Sequence, residues 1–228
     1  MAKTKTLLEL RNNARQLADM VGSNFITDVA FNAFINDSID EFWDLVVIAN
    51  EGYGQLSTTL TVAGGAISAN LPSDFYKLRG VDDLNQTPDP ITVHPYNFAE
   101  RNDFTSYYNL FDTYPVSRVT YALINNTIEF RPTSNAPGNY RIHYIPVAPT
   151  LTLDTDTIDA IAGWHDLIQV DTAIKALQKE EASTTVLERR KASIIERMEK
   201  MVKSRDMGRP RTVTNVRSYS GIDSLYRR

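Results

Sequence analysis

Apolar residues recur at a three-and-four spacing near the start of the chain and again near its end, and alternate between. Leu7, Leu10, Ala14, Leu17, Ala18 and Val21 fall on one face and predict a helix over 5–21, ended by Gly22. Thr27 or Asp28 is placed to cap a second helix. Its stripe is Phe31, Phe34, Ile35, Phe42, Val46 and Ala49, and Glu51-Gly52 stops it after Asn50. Asp37, Asp40, Glu41 and Asp44 lie mostly off that stripe. The pairs Asp37/Glu41 and Asp40/Asp44 are four apart and adjacent, so these acids are expected to face water or to meet basic residues of a neighbouring subunit.

From Leu56 to Pro149 the period becomes that of strands. Residues 58–62 and 66–71 flank Ala63-Gly64-Gly65 and predict a hairpin. A short segment over 75–78, a strand over 79–84, a loop around Pro88 and Pro90, and one or two helical turns over 97–104 follow. Residues 118–124 and 127–131 are strands joined by Asn125-Asn126, since Asn tolerates the left-handed backbone of a two-residue turn. Pro137-Gly138 leads into a strand over 139–145 with Arg141, His143 and Ile145 on one face and Ile142 and Tyr144 on the other.

The helical period then returns. A third helix starts between Thr157 and Gly163 and ends near Glu180, its core face being Leu167, Ile168, Val170, Ala173, Ile174 and Leu177. A fourth starts at a capping box of Thr185 and Glu188 and runs to about Arg205, with Leu187, Ile194, Met198, Met201 and Val202 on one face. The expected fold class is α+β. Two N-terminal and two C-terminal helices form an antiparallel bundle (1–55 and 150–206), a β-rich insertion spans 56–149, and an extended basic C-terminal tail spans 207–228.

That tail, MGRPRTVTNVRSYSGIDSLYRR, carries five arginines against Asp223 alone. Its apolar residues are too scattered to close a core, so burial cannot offset ordering entropy. Tyr, Leu and Arg are interface-anchoring types, and the segment reads as a strap that orders on a partner. From Lys203 onward there are seven basic residues and two acids, whereas the first 202 residues carry seventeen basic and twenty-six acidic. An acidic body with a basic tail suits self-association or docking on an acidic protein surface, and not a body that grips DNA. The chain has no cysteine, which excludes disulfides and thiolate metal sites. The start of the chain reads as an amphipathic helix rather than a signal peptide, and no apolar run approaches the ~18 residues of a membrane helix, so the protein is expected to be cytosolic at synthesis.

Catalytic motifs are missing. Neither GxxxxGK[ST], GxGxxG, GxSxG nor HExxH occurs, no catalytic, cofactor-binding or metal residues are assigned, and the chain is read as a non-enzyme. His94, His143 and His165 are read as isolated surface or partly buried residues. Asp154, Asp156 and Asp159 lack the glycine and glutamate of a calcium loop and are read as capping the third helix. Phe104, Tyr107, Tyr108, Phe111 and Tyr114 could stack bases, but with Asp103 and Asp112 among them and no cation between Arg101 and Arg118, an interface loop or a subdomain core fits better.

Five stretches together resemble phage head-to-tail adaptor (connector) proteins. They are Asn36-Asp-Ser-Ile-Asp-Glu-Phe-Trp43, Leu71-Pro-Ser-Asp-Phe-Tyr-Lys-Leu-Arg-Gly-Val-Asp82, Tyr96-Asn-Phe-Ala-Glu-Arg-Asn102, Tyr140-Arg-Ile-His-Tyr-Ile-Pro-Val-Ala-Pro149, and Trp164 to Glu181. They keep their order along nearly the whole chain, although none is catalytic. The resemblance implies a structural virion protein at the head–tail junction, forming a ring, commonly of twelve copies, beneath the portal. In such adaptors a helical bundle builds the ring, the C-terminal tail grips the portal protein, the β region faces a distal tail or nozzle protein, and DNA passes through the channel without sequence-specific binding. Arg209, Arg211, Arg217, Tyr219, Leu225, Tyr226, Arg227 and Arg228 are the residues expected to make the portal contact. The alternatives are another ring component of the phage tail, such as a terminator, and a nucleic-acid-binding protein using its basic tail.

Overall fold

The computed structural model describes residues 2–23, 25–49, 52–85, 89–101, 119–133, 136–161 and 163–205. The chain opens with a strand, β1 (Ala2–Thr6), and only then turns helical as α1 (Leu7–Leu17). The switch is at Thr6. Its hydroxyl accepts from the Glu9 amide at 3.1 Å, and the Glu9 carboxylate accepts from the Thr6 amide at 3.0 Å. This reciprocal pair satisfies two amides that would otherwise be orphaned.

The expected helix over 5–21 is therefore too long at both ends. It stops at Leu17 because Asp19 adopts φ 57°, and the amides of Asp19 and Met20 turn back to the carbonyls of Gln16 and Arg15. The second helix, α2 (Asp28–Ala49), begins as expected, with the Thr27 hydroxyl accepting from the Ala30 amide.

The β region is α2's continuation. Its strands are β2 (Leu56–Val62), β3 (Ser68–Asn70), β4 (Phe75–Asp83), β5 (Ile91–Pro95), β6 (Thr120–Ile124), β7 (Thr127–Arg131) and β8 (Gly138–Pro146). They form one sheet in the order β2-β8-β4-β5-β6-β7-β3. Only β5 and β6 are parallel. The Ala63–Ala66 turn forms, but the predicted hairpin does not: β2 pairs with β8 and β3 with β7. The two strands end on opposite edges of the order yet lie close together, so the sheet nearly closes on itself like a barrel. The interior so enclosed is filled by Val62, Val81, Val93, Ile128, Phe130, Tyr140, Ile142 and Tyr144. Closure of this kind leaves few unpaired strand edges.

Other departures are local. Residues 75–83 form one strand, kept continuous by two register shifts. His94, expected in a loop, lies exposed in β5. The expected turn near 97 is a 3-10 turn at Phe98–Glu100, and residues 102–104 lie outside the described residues. The β6–β7 turn forms as expected, with Asn125 at φ 53°. The aromatic stretch from Phe104 to Tyr114 lies outside the described residues.

After β8 the chain forms β9 (Thr157–Ile161), which pairs antiparallel with β1 from Ala2↔Ile161 to Thr6↔Thr157. Helix α3 (His165–Lys179) thus starts later than predicted, because part of its expected first turn is a strand. The three aspartates do not cap it. Asp154 pairs with Arg11, Asp156 accepts from the amides of Thr152 and Leu153, and Asp159 lies in β9. Helix α4 (Thr185–Arg205) follows. Its N-terminal partner for Glu188 is Thr184, at 2.6 Å, rather than Thr185.

Helix α3 is buried on nearly every side, and α1, α2 and α4 all pack on it. Two apolar clusters line the contact. One gathers Phe42, Val46, Trp164, Leu167, Ile194 and Met198; the other gathers Ala14, Ala18, Phe31, Ala173 and Ala176. A small third cluster, Trp43, Val47 and Ile145, joins α2 to the sheet, and the Trp43 indole donates to the Pro146 carbonyl at 2.9 Å. Ile145 on β8 therefore faces the helices while Ile142 and Tyr144 face the barrel interior, the split its alternation predicts.

Candidate functional site

The helices carry a polar junction on their core side. Asp171 sits on α3 with its side chain only 5% exposed. It receives Lys175 Nζ at 2.8 Å, Lys191 Nζ at 2.5 Å and the Ser38 hydroxyl at 2.7 Å. Both lysines also reach Glu41 on α2, at 2.9 and 3.0 Å. Three helices are thereby tied through two carboxylates and two ammonium groups. Burial pushes the Asp171 carboxyl upward, but the hydrogen bonds from Lys175, Lys191 and Ser38 outweigh it and hold it below its ordinary value. The same balance lowers Glu41 and raises Lys175 and Lys191, so all four stay charged at neutral pH.

This junction mounts α4. Lys191 fixes the helix to Asp171, Arg197 donates to the Gly163 carbonyl at 3.2 Å, and Ile194 and Met198 enter the core beside Trp164. Lys191 meets Asp171 and Arg197 meets Gly163, so α4 runs antiparallel to α3. Its C-terminal half therefore lies toward the end of the helices that adjoins the sheet.

A second latch closes the α1–α2 turn. Arg15 donates to the carbonyls of Ser23 and Ile26, pairs with Asp28 at 2.8 Å and lies over the Phe31 ring. Arg11 binds both Asp154 oxygens and Asn32. Beyond this turn Val21, Phe25 and Val29 stay exposed, Val29 at 79%. These are apolar groups at the end of the helices away from the sheet.

The expected partners of the α2 acids prove to be internal for Glu41, which meets two lysines of its own chain, and for Asp44, which accepts from the Tyr76 hydroxyl at 2.7 Å. Asp37 and Asp40 are exposed. The histidines divide. His143 pairs with Asp82 at 2.8 Å, half-buried. His165 is fully buried, with Nε2 3.0 Å from the Ile158 carbonyl, and burial pulls its pKa down. Among the described residues no group of three or more His, Asp and Glu is arranged to hold a metal ion. No described helix is long and apolar enough to cross a membrane.

The eight residues expected to contact the portal, from Arg209 to Arg228, lie outside the described residues. Sequence reasoning missed Asp171, Lys175 and Lys191. The available signal was a polar pair four apart, Asp171 and Lys175, interrupting the apolar face from Leu167 to Leu177.

No curated protein matches the chain. The profile of the SU10 adaptor protein family does, over residues 5–217, which takes in every described helix and all seven strands of the sheet. That match is consistent with a phage head-to-tail adaptor, and the chain belongs to the SU10 adaptor protein family.

Proposed function

We propose that the protein is the head-to-tail adaptor of a phage virion, with a mechanical rather than catalytic role. Copies form a ring beneath the portal, the four helices act as the ring-building bundle, and DNA passes through the channel. The observation that carries the reading is the mount of α4 within a chain of this family. A helix pinned at Lys191 and Arg197 leads directly into a basic, aromatic-bearing segment that cannot form a core alone.

Reach is compatible with a strap. At about 3.3 Å per extended residue, the segment 207–228 spans on the order of 70 Å, roughly twice the length of α4. A strap of that length can meet a portal at either end of the body. Its Arg, Tyr and Leu residues supply the anchors, and the β region is left to face the distal tail or nozzle protein.

Deleting residues 207–228 tests this in a pull-down with the portal protein, backed by mass photometry of the mixture. The intact chain should add a whole ring of 25.7 kDa subunits to the portal, and the deletion variant none. Unchanged capture of the deletion variant would refute the strap.

A further inference from the structure

We propose that copies of this chain associate head to tail, the acidic flank of α2 in one copy against the basic flank of α4 in the next. The proposal rests on the ring reading above and names its contact surfaces.

The tie between Glu41 and Lys191 is the reference point. It sets α2 and α4 side by side at a common height. Consecutive helical residues turn about 100° around the axis. The residues just before the tied pair, Asp40 and Arg190, are both exposed. Asp40 shares its side of α2 with Asn36 and Trp43, which bond to Leu151 and Pro146 rather than to α4. Arg190 shares its side of α4 with Arg197, which bonds to Gly163 rather than to α2. The two charges therefore look outward from opposite flanks of the body.

Each flank is more than one charge. Asp37 adds exposed acid one turn before Asp40, and Arg189 adds exposed base next to Arg190. Among the described residues Asp37, Asp40, Arg189 and Arg190 make no salt bridge, while Glu41 and Asp171 neutralise Lys175 and Lys191. Two different surfaces on opposite flanks give a heterologous contact, which closes into a ring when the rotation allows. A rotation about an axis along the helices preserves height, so Asp40 of one copy arrives level with Arg190 of the next. A flank meeting its own kind sets acid on acid or base on base, which disfavours back-to-back pairs.

The chain has no cysteine, so Asp40→Cys with Arg190→Cys supplies its only two thiols. With a short bismaleimide linker, the double variant should give a ladder of dimers, trimers and higher species on a denaturing gel. Each single variant should stop short of a ladder. Absence of a ladder from the double variant overturns the proposal.

Charge reversal gives a second, independent reading. Asp37→Lys/Asp40→Lys and Arg189→Glu/Arg190→Glu should each weaken low-salt self-association roughly tenfold or more in sedimentation velocity. Mixing the two variants should restore it, because every contact then opposes unlike charges. Wild-type association by both variants, or a mixture no better than its parts, overturns the flank assignment. Failure of the adaptor reading shows elsewhere, as an intact chain that does not bind the portal protein.

Discussion

Asp171 shows how a charge is held on a buried face. Its three donors hold it ionised, and its own charge in turn compensates two ammonium groups that are themselves mostly covered. Asp171→Asn should lower stability to urea by about 2–3 kcal/mol, because Lys175 and Lys191 then share only Glu41. The pH dependence follows from the directions of the shifts. A carboxyl held below its ordinary value contributes stability that is full above about pH 4 and is lost as pH falls further. The raised lysines contribute stability that is full below about pH 10 and is lost above it.

His165 has the depressed histidine pattern. The unfolded chain takes up a proton as pH drops below about 6.5, while the buried ring resists. Stability should therefore decline as pH falls from about 6.5 toward the folded-state value, and urea titrations of wild type and His165→Gln should differ in that interval. The four-residue spacing of Asp171 and Lys175 is a signal in the sequence, but it does not name their partners. Asp171 and His165 look like ordinary helix-face polar residues until the neighbours from α2, α4 and β9 are in place.

At the scale of elements, the two helix ends are built alike. α3 stops where Glu181 takes φ 57° and the amides of Glu181 and Ala182 return to Gln178 and Leu177. A side chain in that conformation costs about 1 kcal/mol that glycine avoids. Glu181→Gly should raise stability by up to ~1 kcal/mol, read as a higher urea midpoint at unchanged slope.

The joint between α2 and the sheet is the opposite case, a place with no slack. Gly54 has φ 70°, and a Cβ there would stand 2.8 Å from the Trp43 ring. Trp43→Ala removes the indole from Val47, Ile145 and Tyr53 together with its bond to Pro146, and should cost about 3–4 kcal/mol by thermal or urea unfolding. The helical period was enough to find α2 and the body of α3 and α4. It failed at β1, β5 and β9. Lys3, Thr4 and Lys5 carry no apolar alternation, and they become a strand only because β9, distant in sequence, offers a pairing edge.

For the whole molecule, stability is expected to reside in the helical and barrel cores and not in residues 207–228. Truncation after Arg205 should leave the far-ultraviolet circular dichroism shape and the melting temperature within about 2 °C of the full chain, the effect of well under 1 kcal/mol.

By itself, the chain's order of periods determined the α+β class, the placing of helices before and after the strands, and the basic character of residues 207–228. Those follow from local spacing and composition, which act within a turn or a strand. Strand partners, the near-closure of the sheet, the β1–β9 pair and the Asp171 junction were decided by tertiary structure. Each joins groups far apart in sequence, and only the burial of both sides makes the pairing favourable.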